Sequence, residues 1–347
     1  MNIREFNFSP YSLKFKKPFV NSSFTLSERK GFIITIIDDN NFIGYGEVAP
    51  LIGFSLETYE ECEIALNKLH YSIIEKTSSN LEFDLISELQ SISNLPSLRF
   101  GVEQAFISLL IKRKELTSLL NHDKVVAVNG LVAIAPKNEM LKNIDSLLTK
   151  NIKTIKVKAG IGKFENEIDL INSITSRVDD SIKIRIDVNG NWNYQQAETA
   201  VNNLDKTKIE FIEQPVGDIN EIVMLSDFSP IPIAVDEVIK NGNDAKSIIE
   251  KSNITTIVLK PSILGGIIES IGLIKSAESF GKKIIISSAF ESVVGRSALV
   301  LLASLVNGNY AHGLSTATLL DKDLAIDEYL IENGNILFNH KNCCHQY

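Results

Sequence analysis

From about residue 125 onward, short apolar β-branched runs alternate with longer amphipathic stretches. Five of these runs are Thr154-Ile155-Lys156-Val157-Lys158, Ile184-Arg185-Ile186-Asp187, Ile209-Glu210-Phe211-Ile212-Glu213, Ile233-Ala234-Val235-Asp236 and Ile257-Val258-Leu259-Lys260. Each closes on a charged residue. Successive closing residues lie 29 (187−158), 26 (213−187), 23 (236−213) and 24 (260−236) positions apart. That length fits one strand, one helix and their loops. Strands are predicted to begin near 125, 153, 183, 208, 231, 254 and 283, with a short last one near Tyr310-Ala311-His312. Helices are predicted over 164–178, 195–204 and 267–280. Seven or eight parallel strands then close as a (β/α) barrel, an α/β fold whose chemistry gathers at the C-terminal strand ends. An open doubly wound sheet fits less well, because five successive charged strand ends would not converge in it.

The first part of the chain reads differently. Gly31 to Ile37 is a β-branched strand, Asp38-Asp39-Asn40-Asn41 a hairpin turn, and Phe42 to Val48 the return strand. Helical patterns follow over 55–75 and 101–114. Strands followed by helices, without alternation, predict an α+β unit. The chain beyond about Gly313 has no room for another barrel unit and is expected to return to this first domain. The domain reading is therefore 1–123 with 314–347 as the α+β unit, and 124–313 as the barrel.

Composition narrows the partners. The net charge is −8 with no basic block, which argues against a nucleic-acid partner. Three cysteines, Cys62, Cys343 and Cys344, form no disulfide framework and suggest a reducing compartment. The N-terminus lacks a signal-peptide apolar core. No run reaches the roughly 20 apolar residues of a membrane span. A cytoplasmic protein with no membrane partner is expected, and a homo-oligomer is left open.

The strand ends carry the candidate chemistry. Alternation puts Lys156 and Lys158 on one face of their strand, pointing into the barrel, with Ile155 and Val157 on the other. Two adjacent ammonium groups are expected to lower one pKa and yield a base near neutrality. Asp187, Glu213 and Asp236 offer hard oxygen ligands that suit Mg²⁺, and without His or Cys beside them they do not suit zinc. Helix capping accounts for one such residue better than for three in a row. Arg185 either supports a ligand carboxylate from behind or forms an ion pair in the barrel floor. Gly160-Ile161-Gly162 reads as a phosphate loop or a plain turn, and the turn is favoured because the third fingerprint glycine is missing. Substrate contacts are assigned to Asn189, to Gly265 at the rim, and to Ser288 and Glu291 in the Ser287-to-Ser292 turn, where a helix N-terminus favours an anion. Capping by Ser288 is the compatible alternative. A metal site at His340, Cys343, Cys344 and His345 lacks the usual two-residue gap.

This set resembles the muconate-lactonizing subgroup of the enolase superfamily, over nearly the whole chain. The resemblance implies an N-terminal α+β capping domain, a (β/α)₇β TIM-like barrel and a C-terminal segment rejoining the cap. It implies Mg²⁺ on Asp187, Glu213 and Asp236, with Lys158 and Lys260 on opposite faces of a small-molecule carboxylate substrate. Gly44-Tyr45-Gly46-Glu47-Val48-Ala49-Pro50, Gly53-Phe54-Ser55, Leu98-Arg99-Phe100-Gly101-Val102-Glu103 and Ser288-Ala289-Phe290-Glu291-Ser292 look like the o-succinylbenzoate synthases of this subgroup. That likeness implies a lyase of menaquinone biosynthesis. Racemases and epimerases share the same lysines and carboxylates. The dipeptide epimerases usually carry an Asp-X-Asp near the last strands to hold a substrate amine, and none occurs at Ser287 to Ser292. Cap loops at 19–24 and 50–54 are expected to close over the barrel mouth.

Overall fold

The structure is a computed structural model and describes residues 3–20, 25–78, 85–116 and 123–339. The His340-to-His345 cluster and residues 21–24 of the first cap loop lie outside the described residues.

β1 (Ile3–Val20), β2 (Thr25–Asp38) and β3 (Ile43–Val48) form an antiparallel sheet in that order. The turn at Asp38 is held by its carboxylate, which accepts the amides of Asn40 and Phe42, both at 2.9 Å. α1 (Tyr59–Ser78), α2 (Leu85–Ser91) and α3 (Pro96–Lys112) cover the sheet. α1 begins four residues after the expected start, where Thr58 and Glu61 exchange side-chain-to-backbone bonds as a capping box. α3 begins five residues before the expected start, because Pro96 supplies the preset φ of a first helical turn. Phe6, Phe32, Leu66 and Phe106 fill the core between sheet and helices. Gly44 and Gly46 let α3 lie directly on β3. A Cβ at Gly46 would come 1.9 Å from the Gly101 carbonyl oxygen.

The barrel follows. β4 (Lys124–Ala127) and β5 (Gly130–Val132) precede α4 (Lys137–Thr149). Then come β6 (Thr154–Lys158), α5 (Phe164–Arg177), β7 (Lys183–Asp187), α6 (Tyr194–Asn203), β8 (Ile209–Glu213) and α7 (Ile219–Phe228). β9 (Ile233–Val235), α8 (Gly242–Lys251), β10 (Thr256–Leu259), α9 (Pro261–Leu264), α10 (Ile267–Ser279), β11 (Lys283–Ile286) and α11 (Val293–Leu305) complete the alternation. Asn193, Asp218 and Asn241 cap α6, α7 and α8 by accepting first-turn amides. The sheet order β5-β6-β7-β8-β9-β10-β11 is parallel throughout. Segment 311–313 closes the ring, bridging Val128 through His312 on one side and Ser287 through Gly313 on the other. The fold is thus an α/β TIM-like barrel with an N-terminal cap. Ile155 and Val157 are fully buried in the layer between strands and helices.

The strand expected near 125 is two pieces. β4 leaves the ring and pairs antiparallel with β12 (Asn335–Phe338), and ring pairing begins at β5. The apolar run alone does not say which distant strand will take its hydrogen bonds. Ser315–Leu319 is a short 3₁₀ turn, after which Leu320 bridges Phe15 of β1. Among the described residues no helix is long and apolar enough to cross a membrane.

Candidate active site

Alternation along the strands sends every second side chain inward, and the last inward positions carry the charges. Lys156 Nζ lies 2.6 Å from Asp187 Oδ2 and 2.7 Å from Glu213 Oε1. Lys158 Nζ lies 2.7 Å from the same Asp187 oxygen and donates to Asn189 Oδ1 at 2.9 Å. Lys260 pairs with both oxygens of Asp236 and sits 4.8 Å from the centre of the Phe54 ring. β6 and β10 are four places apart in the ring, so Lys158 and Lys260 face each other across its mouth. One layer below, Phe211, Ala234, Val258 and Ile285 close the floor. Arg185 belongs to that floor. It donates to Glu210 Oε2 at 2.7 Å and to the Ala311 carbonyl, and its guanidinium lies over the Phe211 ring.

Burial alone would disfavour the Lys156 ammonium, but Asp187 and Glu213 outweigh it and hold its pKa well above the ordinary value. The expected lysine pair with one lowered pKa is thereby corrected for Lys156, because carboxylates crowd it more closely than its neighbour does. Burial opposes ionisation of Asp187, yet Lys156 and Lys158 hold it below the usual carboxylate range. Asp236 is likewise held low by Lys260 against the effect of burial. Lys260 is raised in return, burial opposing and Asp236 prevailing. Glu213 is pushed up to about 8 by burial and by Asp187. Glu237 is pushed up to about 6 by burial and by Asp236.

The pocket above these charges is lined by Phe19, Leu51 and Phe54 from the cap and by Leu131, Ala289 and Phe290 from the barrel. Lys156, Lys158, Asp187, Asn189, Asp236, Lys260 and Ser288 line its polar part, with Glu237 and Thr316. Glu213 stands just behind, against Lys156. Three non-glycine residues at strand ends hold left-handed φ values: Asn189 at 52°, Gln214 at 43° and Phe290 at 64°. Such strain gathers where a fold must aim side chains. Gln214 is fully buried and accepts the amides of Asp236 and Val238 through Oε1. It thereby fixes the turn that carries Asp236.

Two of the expected substrate contacts lie elsewhere. Glu291 is turned away from the pocket. It accepts Ser262 Oγ, Ser288 Oγ and the Ala289 amide at 2.6, 2.6 and 2.7 Å, tying the sixth strand end to the seventh. Gly265 is outside the lining, because α9 intervenes between Lys260 and the glycine pair. The helix after the seventh strand starts at Val293, not at Ser288. Its free amides are taken by Glu47 of the cap, which accepts Ser292 N at 2.9 Å and Gly295 N at 2.7 Å. Gly266 faces Glu103, whose Oε2 accepts Ile267 N and Ile268 N at 2.6 and 2.9 Å. The loop Gly160-Ile161-Gly162 presents three amides to Glu167 Oε1 at 2.7–2.8 Å. The favoured turn reading of Gly160-Ile161-Gly162 holds, and the first amides of α10 and α11 are likewise taken by the protein's own carboxylates. Sequence reasoning missed Glu237 and Gln214. The dipeptides Asp236-Glu237 and Glu213-Gln214 were the available signal, since each extends a strand-end acid by one polar residue.

Among the described residues no three His, Cys, Asp or Glu side chains converge as a ready-made metal cage. The lysine ammonium groups stand among the carboxylate oxygens instead. The donor set still fits a hard divalent cation. Asp187, Glu213 and Asp236 offer only oxygen ligands, and with Glu237 beside them the carboxylates outnumber the three lysines, an excess of negative charge that a cation relieves.

A family model described as enolase C-terminal domain-like matches residues 139–341, and one described as the MenC N-terminal domain matches residues 3–109. The chain belongs to the enolase superfamily. Among its relatives, an o-succinylbenzoate synthase from Aliivibrio fischeri is 29% identical over 304 residues, 86% of each chain. An L-Ala-D/L-Glu epimerase from Francisella tularensis subsp. novicida is 27% identical over 336 residues, 94% of this chain and 93% of that one. Among solved structures, a dipeptide epimerase from Enterococcus faecalis, complexed with Mg and the dipeptide L-Leu-L-Tyr, matches with a TM-score of 0.88. It is 22% identical, covering 98% of this chain and 97% of that one.

Proposed function

We propose that this chain is an o-succinylbenzoate synthase, dehydrating 2-succinyl-6-hydroxy-2,4-cyclohexadiene-1-carboxylate to 2-succinylbenzoate and water. The observation that carries the reading is the state of the seventh strand end. Its one carboxylate, Glu291, is saturated by Ser262, Ser288 and Ala289 and lies outside the pocket lining. That wall offers hydroxyls and the Phe290 ring, with no acid to hold a substrate ammonium. The cap match to the MenC N-terminal domain agrees with this choice.

Asp187, Glu213 and Asp236 would hold Mg²⁺, whose charge when bound stabilises the negative charge developing on the substrate carboxylate. Lys158 takes the proton from the carbon next to that carboxylate. The same ammonium then gives the proton to the hydroxyl leaving from the same face, which departs as water. Lys260 faces the opposite side and stabilises the developing dianion. Lys156 neutralises part of the charge on Asp187 and Glu213. Phe19, Leu51 and Phe54 keep bulk water from the lysines. Aromatisation of the ring drives the reaction forward.

An epimerase or racemase is the second reading, favoured by the opposed placement of Lys158 and Lys260, which suits proton removal on one face and return on the other. Incubating the purified protein and Mg²⁺ with the cyclohexadiene substrate decides between them. Loss of the diene absorbance is expected. No turnover there, together with deuterium exchange at the Cα of dipeptides or N-acylamino acids, overturns the synthase reading.

A further inference from the structure

The Lys158 ammonium is held by Asn189, and Asn189 is itself held. Its Nδ2 donates to Glu237 Oε1 at 2.6 Å, while its Oδ1 accepts from Lys158 Nζ at 2.9 Å. An ammonium can only donate and a carboxylate accepts, so one orientation of the Asn189 amide satisfies both neighbours. The flipped amide would turn its NH₂ toward the ammonium and its oxygen toward the carboxylate. Asn189 also sits at φ 52°, a backbone state asparagine tolerates better than other side-chain-bearing residues. Its own amide is bonded to Asp187 Oδ1 at 3.2 Å. The backbone thus fixes where the Asn189 side chain begins, and Glu237 fixes which end of it faces the lysine. All three residues line the pocket.

We propose that Glu237 and Asn189 are a positioning pair for Lys158. Glu237 sets the amide of Asn189, and the amide oxygen aims the ammonium stem toward the reacting carbon. The inference rests on Lys158 being the proton-transfer group. Glu237 directs it through Asn189 without touching it, and lies one residue beyond the metal-ligand position Asp236 without acting as a ligand.

Three variants test this in the full-length protein. Glu237→Leu removes the acceptor at similar size. It is expected to lower kcat by roughly ten- to a hundredfold, the scale of a small misplacement of a reacting group, with KM changed by less than about threefold. Glu237→Gln keeps an acceptor oxygen for Asn189 Nδ2 and is expected to recover most of that loss. Asn189→Ala and the double variant Asn189→Ala/Glu237→Leu should be about equally slow, since both act through one contact. Mg²⁺ affinity by calorimetry should be the same in Glu237→Leu and wild type. A crystal structure of Glu237→Leu should show Lys158 Nζ parted from Asn189 Oδ1, a readout that needs no activity. Additive losses in the double variant, Glu237→Gln as slow as Glu237→Leu, or a fall in Mg²⁺ affinity overturns the proposal. Failure of the wild-type protein to turn over the cyclohexadiene substrate refutes the synthase reading instead. The crystallographic contact and the metal affinity still decide the positioning pair in that case.

Discussion

Two sets of buried carboxylates share this molecule, and they are satisfied in opposite ways. Glu47, Glu103 and Glu167 each accept two or three backbone amides. Glu167 takes three of them plus the Trp192 indole N–H. Glu103 takes two at the start of α10, with Arg99 at 2.8 Å. Glu47 takes two at the start of α11, together with the hydroxyls of Ser292 and Tyr11. At the strand ends, Asp187, Glu213 and Asp236 are bonded chiefly to lysines. Backbone amides are fixed by the fold and cannot leave, so a carboxylate saturated by them is locked in one state. An ammonium on a flexible stem can be exchanged for a metal ion or a substrate. The partner type, more than burial, separates structural acids from those available for chemistry. The amide-bound set also explains why the cap stays on the barrel. Glu47 and Glu103 come from the cap and terminate two barrel helices, and a Cβ at Gly266 or Gly295 would come 2.5 or 2.8 Å from their oxygens.

This contrast can be broken most sharply at a strand end. Lys158→Ala is expected to lower kcat by about a thousandfold or more, the scale of a lost acid–base group. The thermal midpoint should stay within a few degrees of wild type. Asp236→Asn should behave alike. A large stability loss in either would mean that the lysine-bound set is structural too.

The opposite pattern is expected at Glu47→Ala. It strands two backbone amides and two hydroxyls in a buried joint, and should cost about 3 kcal/mol in urea unfolding. Near-wild-type stability with activity lost would erase the distinction.

His312 extends the comparison to a base. It is fully buried where the ring closes, and its Nδ1 accepts the Ile286 amide at 3.0 Å. Burial first, then Arg185 and Lys124, lower its pKa from 6.5 to about 3. The unfolded chain therefore binds a proton that the folded chain refuses between those values. Stability should fall as pH drops below about 6.5, by up to about 1.4 kcal/mol per unit for this one group. Urea melts of wild type and His312→Gln at pH 7 and 5 measure it. An equal pH slope in both removes His312 from the account.

The smallest effect is expected at Glu103→Gln. The amide oxygen can still serve Ile267 and Ile268, so the loss should be about 1 kcal/mol, reflecting the weakened Arg99 contact. A loss as large as that of Glu47→Ala would show that charge, and not amide saturation, holds the cap.

Much of this was legible in the chain. The strand and helix periods of the barrel are local patterns, and α5, α6 and α10 start within a residue of where those patterns place them. Alternation also put Lys156 and Lys158 on one face and the strand-end acids on a common rim, because side-chain direction follows from backbone geometry alone. Tertiary structure decided the rest. The antiparallel pairing of β4 with β12 depends on a strand roughly two hundred residues away. The Ser287-to-Ser292 turn reads as an anion site in the sequence, and the Gly160 loop as a turn that could be one, because amide donors are a local property. Whether such a site is open depends on what arrives from elsewhere, and Glu47 reaches Gly295 across 248 positions. The raised pKa of Lys156 has the same origin. A sequence shows the neighbouring lysine two residues away, whereas the field at Nζ is set by Asp187 and Glu213 from two other strands. Secondary structure follows short-range sterics and periodicity, but the electrostatic state of a buried group sums over charges that only the closed barrel brings together.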